Sequence, residues 1–130
     1  MADNYNQMTI AQSIPRDLIN VEDEEFLQLF GIEIYKNPNG YYLYAEDYSS
    51  FAEDETGKEF DEEDLINFLQ RLIIKSDGEL RYIAMEGALT CSKMRPGEFG
   101  GYAIFVTEDN VEYVSTGQWI SDRIYKLDHN

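Results

Sequence analysis

The stretch from residue 46 to residue 64 carries more negative charge than a folded chain accommodates without a cost. Ten of its 19 residues are Asp or Glu, and Lys58 is its one cation. Neighbouring carboxylates repel each other and oppose compaction. Either this segment lies at a solvated surface, or a positively charged partner binds it.

The acids are concentrated in the first half of the chain. The 130 residues have a formal net charge of −16. Residues 1–65 contain 17 acids and three bases, whereas residues 66–130 contain nine acids and seven bases. A charge excess that served solubility alone would be spread more evenly. Such a surface repels nucleic acids and anionic membranes and attracts basic proteins or cations.

The composition nevertheless indicates a folded chain. A hydrophobic fraction of 43%, with ten Tyr and seven Phe, is enough to build a core. We expect a polar N-terminal arm over residues 1–14, with a short strand at 8–14, followed by a single domain over 15–130. The lone cysteine and the absence of a signal peptide or an apolar run of ~18 residues favour the cytoplasm, that of the host cell if the protein is phage-encoded.

Local signals predict the first elements. Asn20 is a plausible N-cap for a helix over residues 21–30, and Gly31 follows it. Strands at 32–36 and 41–45 flank a turn that contains Asn39-Gly40. Residues 46–60 show no period and are expected to form an acidic loop. Asp61 then caps a helix over 62–76, whose apolar residues recur at helical spacing.

The second half is expected to be rich in strands. We predict strands at 79–86, 101–106 and 111–116, a glycine-rich loop over 87–100 and a helix over 117–127. Tight turns join two of the strand pairs, and parallel strands cannot be joined that way. The sequence therefore predicts an α+β fold: a mainly antiparallel sheet of about five strands with two to three helices packed on one face.

The acidic residues are the main candidates for a partner-binding surface. Helical carboxylates three or four residues apart lie ~5–6 Å from each other, and each strand of a duplex presents a phosphate every ~3.4 Å of axis. Rows of acids can therefore imitate phosphates. The alternative interpretation is a solvated surface whose acids favour helix N-termini. The candidates, with two neighbouring tyrosines, are Glu22, Asp23, Glu25, Glu46, Asp47, Glu53, Asp54, Glu55, Asp61, Glu62, Glu63, Tyr42 and Tyr44.

A second candidate is the loop over 87–101. Lys93 and Arg95 make it the most cationic loop, and with Gly100 they form a possible binding site for a small anion. The loop lacks the spacing of phosphate-binding glycine motifs, so its glycines more simply supply turn angles.

Residues for catalysis or for a metal are not evident in the sequence. Cys91 has no histidine near it in sequence, and His129 is the penultimate residue. The acidic stretch does not fit the ligand spacing of an EF-hand. We expect no enzymatic activity, no cofactor and no metal site.

In size and charge the chain resembles small phage-encoded inhibitors that imitate DNA, such as antirestriction and anti-CRISPR proteins. Our first hypothesis is a non-enzymatic inhibitor that occupies the basic nucleic-acid-binding surface of a bacterial nuclease or defence complex. We expect a monomer or a homodimer. One alternative is an immunity protein or antitoxin that neutralises a basic toxin. Another is a small anion- or nucleotide-binding domain that uses the 87–101 loop.

Overall fold

A computed structural model describes residues 3–129. The strands are β1 (Asn4–Ile10), β2 (Glu33–Asn37), β3 (Gly40–Ala45), β4 (Phe51–Glu53), β5 (Glu59–Asp61), β6 (Ile83–Cys91), β7 (Gly100–Val106) and β8 (Val111–Ser115). The helices are α1 (Val21–Leu29), α2 (Glu62–Lys75) and α3 (Thr116–Asp128), and a 3-10 turn spans Arg16–Leu18.

Six of the strands form one antiparallel sheet. Their order is β2-β3-β1-β6-β7-β8, and every neighbouring pair is antiparallel. The short strands β4 and β5 form a separate two-stranded sheet. The predicted α+β fold with a mainly antiparallel sheet is confirmed, with six strands in the main sheet.

The N-terminal segment differs from the expected polar arm. Residues 4–10 form β1, which pairs with β3 on one side and with β6 on the other. Met8 and Ile10 are buried, while Asn4, Tyr5, Gln7 and Thr9 are exposed. Backbone pairing on both edges keeps this polar segment in the centre of the sheet, although its side chains gave little sign of it. Residues 1 and 2 of the expected arm lie outside the described residues.

The core lies between the sheet and two helices. The inner face of the sheet presents Met8, Leu43, Met85 and Ile104, all of which are buried. Helix α1 contributes Leu27, and its C-cap residue Phe30 joins the same cluster. Helix α2 contributes Leu65, Phe68, Leu69, Leu72 and Ile73, so its predicted apolar face is the buried one.

Local capping signals are confirmed at both helices. The Asn20 side chain accepts from the backbone N–H of Asp23, and the Asp23 carboxylate accepts from that of Asn20. Asp61 and Asp64 form the same reciprocal pair at the start of α2. Such capping boxes pair backbone N–H groups that have no partner within the helix.

Two loops are more ordered than the sequence predicted. Within the expected loop over 46–60, β4 and β5 form a hairpin, and Gly57 takes a φ of +88° in its turn. Strand β6 begins later than expected and continues to Cys91, which shortens the glycine-rich loop to residues 92–99. Gly87 lies inside that strand, opposite Tyr102 on β7. The Tyr102 ring covers Gly87 so closely that a Cβ at this position would overlap the ring.

Helix α3 forms where it was predicted but packs differently from α1 and α2. Ser115 caps it by accepting from the backbone N–H of Gln118. Within the described chain, none of its side chains is buried. Trp119, Ile120, Ile124 and Leu127 are between 52% and 77% exposed.

The packing of Tyr102 on Gly87 predicts a specific sensitivity. Gly87→Ala should lower the free energy of unfolding by about 1–3 kcal/mol, because the added methyl must displace the ring. Urea denaturation measures the loss. Gly117→Ala is the matched control, since a Cβ there meets nothing within 4 Å, and it should leave stability unchanged or raise it. Equal effects of the two variants would contradict this account of Gly87.

Candidate functional site

An aromatic cluster brings the acidic segments of the first half together. The ring of Phe26 in α1 lies 5.3 Å from that of Phe60 in β5 and 5.1 Å from that of Phe68 in α2, between centroids. Glu25, Glu59 and Asp61 are the immediate chain neighbours of Phe26 and Phe60. Helix α1, the β4–β5 hairpin and the first turns of α2 therefore form one layer on the inner side of the sheet. We call the exposed side of this layer the acidic surface.

Some of the predicted acids have structural roles. Asp23, Asp61 and Asp64 are held in the capping boxes. Asp54 accepts from the hydroxyl and the backbone N–H of Thr56 and from the backbone N–H of Lys58. The hydroxyl hydrogen bond is the main cause of a lowered pKa of Asp54. These carboxylates fix local backbone geometry as well as carrying charge.

Other acids on this surface form no ion pair within residues 3–129, although Lys58 adjoins Glu59 in the hairpin. Glu22, Glu25, Glu53, Glu55, Glu59 and Glu63 are exposed. Across residues 3–129 there are two ion pairs, Lys36 Nζ–Glu24 Oε1 at 2.8 Å and Arg95 Nε–Glu98 Oε2 at 3.0 Å. Neither pair involves these six residues. The charge of these six acids is therefore not neutralised by an ion pair of the described chain.

The remaining predicted residues lie elsewhere. Tyr42 and Tyr44 project from the outer face of the sheet, the face away from α1 and α2, and their rings stack at 5.7 Å. Glu46 lines a cavity with them. Asp47 is exposed, and its backbone carbonyl packs against Gly31 after α1. The structure thus divides the predicted set between two faces of the molecule.

The cationic loop is partly neutralised within the chain. Besides its ion pair with Arg95, the carboxylate of Glu98 accepts from the thiol of buried Cys91 at 3.3 Å. Lys93 remains exposed, and Gly100 begins β7 with Thr116 close by. A small anion at this loop would compete with Glu98 for Arg95.

Sequence reasoning did not find one tyrosine cluster on the inner side. The Tyr48 hydroxyl donates to Glu62 at 2.7 Å, and the Tyr102 hydroxyl donates to Asn6 at 2.8 Å. Both tyrosines line a cavity of about 200 Å³ with Glu62 and Tyr113. Burial raises the pKa of Tyr102 to about 12, and burial together with the Glu62 hydrogen bond raises that of Tyr48. Glu62, predicted to bind a partner, is therefore engaged by Tyr48.

Other kinds of site have little support in the described residues. Among residues 3–129, no three His, Cys, Asp or Glu side chains are grouped to hold a metal ion. None of the helices in that range has both the length and the apolar composition needed to cross a bilayer.

Comparison with known proteins yields no match. No protein-family model fits the chain, and no curated protein or solved structure is significantly similar to it.

The capping role of Asp61 can be separated from its charge. Asp61→Ala should lower the free energy of unfolding by ~1 kcal/mol, because it removes the acceptor for the Asp64 N–H. Asp61→Asn should leave stability nearly unchanged, since Asn caps as well as Asp does. Urea denaturation distinguishes the two. Equal losses would assign the effect to charge instead of to the hydrogen bond.

The raised tyrosine pKa values predict a loss of stability at alkaline pH. The unfolded chain releases the Tyr102 proton near its ordinary pKa of 10.0, whereas the folded chain keeps it to about 12. The stabilisation from the protonated phenol is therefore complete below pH 10 and lost as pH rises towards 12. Unfolding free energies measured from pH 8 to pH 12 should fall less steeply for Tyr102→Phe than for the wild type. Parallel curves would show that Tyr102 titrates normally.

Proposed function

We propose that this chain is a non-enzymatic inhibitor whose acidic surface occupies the basic nucleic-acid-binding surface of a bacterial nuclease or defence complex. The observation that carries the proposal is the joining of three acid-rich segments around Phe26, with most of their glutamates outside any ion pair of the described chain. A protein surface built to bind phosphates would meet a comparable field of negative charge here.

The net charge would favour fast association with a basic partner. A charge of −16 steers a cationic protein towards the acidic surface and raises the association rate at low salt. Screening shortens the range of this attraction to ~8 Å at physiological ionic strength. Binding that depends on the acidic surface should therefore weaken strongly as salt rises.

The structure guides the choice of acids for a test. Asp23, Asp54, Asp61 and Asp64 are poor targets because their removal would also disturb caps or a turn. Glu25, Glu59 and Glu63 are exposed, and they sample α1, β5 and α2 in turn. A control set of equal charge comes from the second half: Glu79, Glu108 and Asp109, which are also exposed.

The experiment begins with capture from bacterial lysate on immobilised protein at low salt, followed by purification of the captured protein. Changing Glu25, Glu59 and Glu63 to Gln should weaken its binding about ten- to a hundredfold, if each lost charge contact contributes ~0.5–1 kcal/mol. Changing the control set to amides should have a much smaller effect. A duplex of ~20 base pairs should displace the inhibitor from its target.

Three outcomes would contradict the proposal. Binding that is unchanged between low and high salt would remove its electrostatic basis. Equal effects of the two variant sets would assign the interaction to total charge and not to the acidic surface. A captured toxin that duplex DNA does not displace would favour the immunity-protein alternative.

A further inference from the structure

Helix α3 lacks the tertiary contacts that normally stabilise a helix of its length. It has 13 residues, and none of its side chains is buried within the described chain. Isolated helices shorter than ~12–15 residues are marginal in water, and most helices in proteins depend on packing of an apolar face. Trp119, Ile120, Ile124 and Leu127 lie on one side of α3 and are all more than half exposed. This face requires a partner surface.

The outer face of the sheet is a second uncovered apolar surface. Two adjoining cavities of about 650 and 350 Å³ lie along it and share Glu86 and Gly87. Their floor consists of small residues, Thr9, Ala88, Gly101 and Ala103 among them. Tyr42 and Tyr44 form one wall, and Val114 with Trp119 forms the other. We call this surface the trough.

The strand register confirms that the trough runs across the sheet. Residues directly opposite each other on antiparallel strands point to the same face. One such row crosses all six strands: Glu33, Tyr44, Thr9, Glu86, Ala103 and Val114. Its central part carries Thr9, Glu86 and Ala103, so the exposed Glu86 side chain stands among small floor residues at the middle of the trough.

The chain geometry prevents α3 from filling the trough of its own sheet. Helix α3 begins at Thr116, directly after β8 ends at Ser115, and the Thr116 hydroxyl accepts from the backbone N–H of Gly101. No connecting loop is present to turn the helix back across the strands. Thr116 and Trp119, at its start, line the cavity beside Ala103 and Val114, and no later residue of the helix does.

The dimensions of the helix and the trough agree. A helix of 13 residues is about 20 Å long at 1.5 Å per residue. The four strands β3, β1, β6 and β7 together span about 19 Å at 4.8 Å per strand. One α3 therefore covers the trough from the tyrosine wall to the opposite side.

The charges of the two surfaces are complementary. The trough and its border carry Glu33, Glu46 and Glu86, and no Lys or Arg is among the described residues that line the cavities. The charge of Glu33, burial and the charge of Glu46 together raise the pKa of Tyr44. Helix α3 supplies Arg123, which lies over the Trp119 ring of its apolar face, and Lys126, and its two acids and two bases leave it neutral. It is the least acidic of the three helices, so a second acidic copy receives it with less repulsion than α1 or α2 would meet.

We propose that two copies of this chain form a two-fold symmetric dimer in which α3 of each copy lies in the trough of the other. Each chain carries both the uncovered helix and the uncovered sheet face. One two-fold symmetric dimer therefore covers both surfaces on both copies. The dimer would cover the four apolar side chains of α3, each 52% to 77% exposed, together with the trough on both copies.

The first test is the mass in solution. Analytical ultracentrifugation from ~1 to ~100 µM should show a species of twice 15.1 kDa that dissociates on dilution. Ile124→Lys should shift the dimer dissociation constant at least tenfold towards monomer. Ile74→Lys is the matched control, because Ile74 is 59% and Ile124 56% exposed, and Ile74 lies on α2. The control should dimerise as the wild type does. A wild type that is monomeric at ~100 µM would overturn the proposal.

A variant of the trough tests the other half of the contact. Ala88→Arg/Ala103→Arg blocks the trough and should be monomeric, as should Ile124→Lys. A trough variant that dimerises like the wild type would assign the interface to α3 against α3 and would overturn the helix-in-trough contact.

A measurement on the wild type does not depend on the folding of variants. Amide hydrogen exchange in α3 should slow as protein concentration rises through the dimer dissociation constant, while α2 should be unaffected. Exchange of α3 that is independent of concentration would contradict the dimer.

Raising salt should strengthen dimerisation, because it screens repulsion between two acidic copies, but should weaken binding of a basic partner. Failure of the dimer and failure of the proposed function are therefore distinguishable.

Discussion

The structure depends on the pairing of strand β1 with two strands that are distant in sequence. It lies between β3 and β6, and in the described chain it is the strand that joins the β2–β3 hairpin to the β6–β8 meander. Met8 and Ile10 direct buried side chains into the core from this position, and each contributes ~1.5–3 kcal/mol by burial. The contact between residues 4–10 and 85–91 closes a loop that contains about two thirds of the 130 residues. Formation of the sheet therefore carries a large loop-closure entropy, which is typical of slow-folding topologies.

The same topology explains how the chain tolerates its acids. Several acids cap helix N-termini or hold a turn, where unpaired backbone N–H groups and the helix dipole stabilise negative charge. Glu22, Glu25, Glu53, Glu55, Glu59 and Glu63 remain exposed to water on the acidic surface, where their mutual repulsion is weakest. Contacts among Phe26, Phe30, Phe60 and Phe68 oppose that repulsion from beneath. Charge density on one side of the molecule is thus compatible with a dense core a few ångströms below it.

The sequence predicted those elements whose signals are local. Asn20 and Asp61 marked the helix starts because capping depends on residues three apart, and α2 was evident from its apolar spacing. Strand β1 was missed because its stability comes from pairing with residues far along the chain. The β4–β5 hairpin was missed because a carboxylate–backbone contact at Asp54 organises it without a hydrophobic pattern. The acidic residues were evident from composition, but their division between two faces required the strand register.

The two faces of the molecule differ in what they can bind. The acidic surface offers mainly charge, whereas α3 offers an apolar face on a helix without net charge and the trough offers a concave surface that carries Glu46 and Glu86. Interfaces of the first kind weaken with salt, and those of the second kind persist. Because α1 and α2 lie on the inner side of the sheet, pairing of two copies through their outer faces would leave both acidic surfaces exposed. Such a dimer would present two identical binding surfaces to a partner. A partner with two basic sites would then be held through both, and the second contact would form at a high effective concentration.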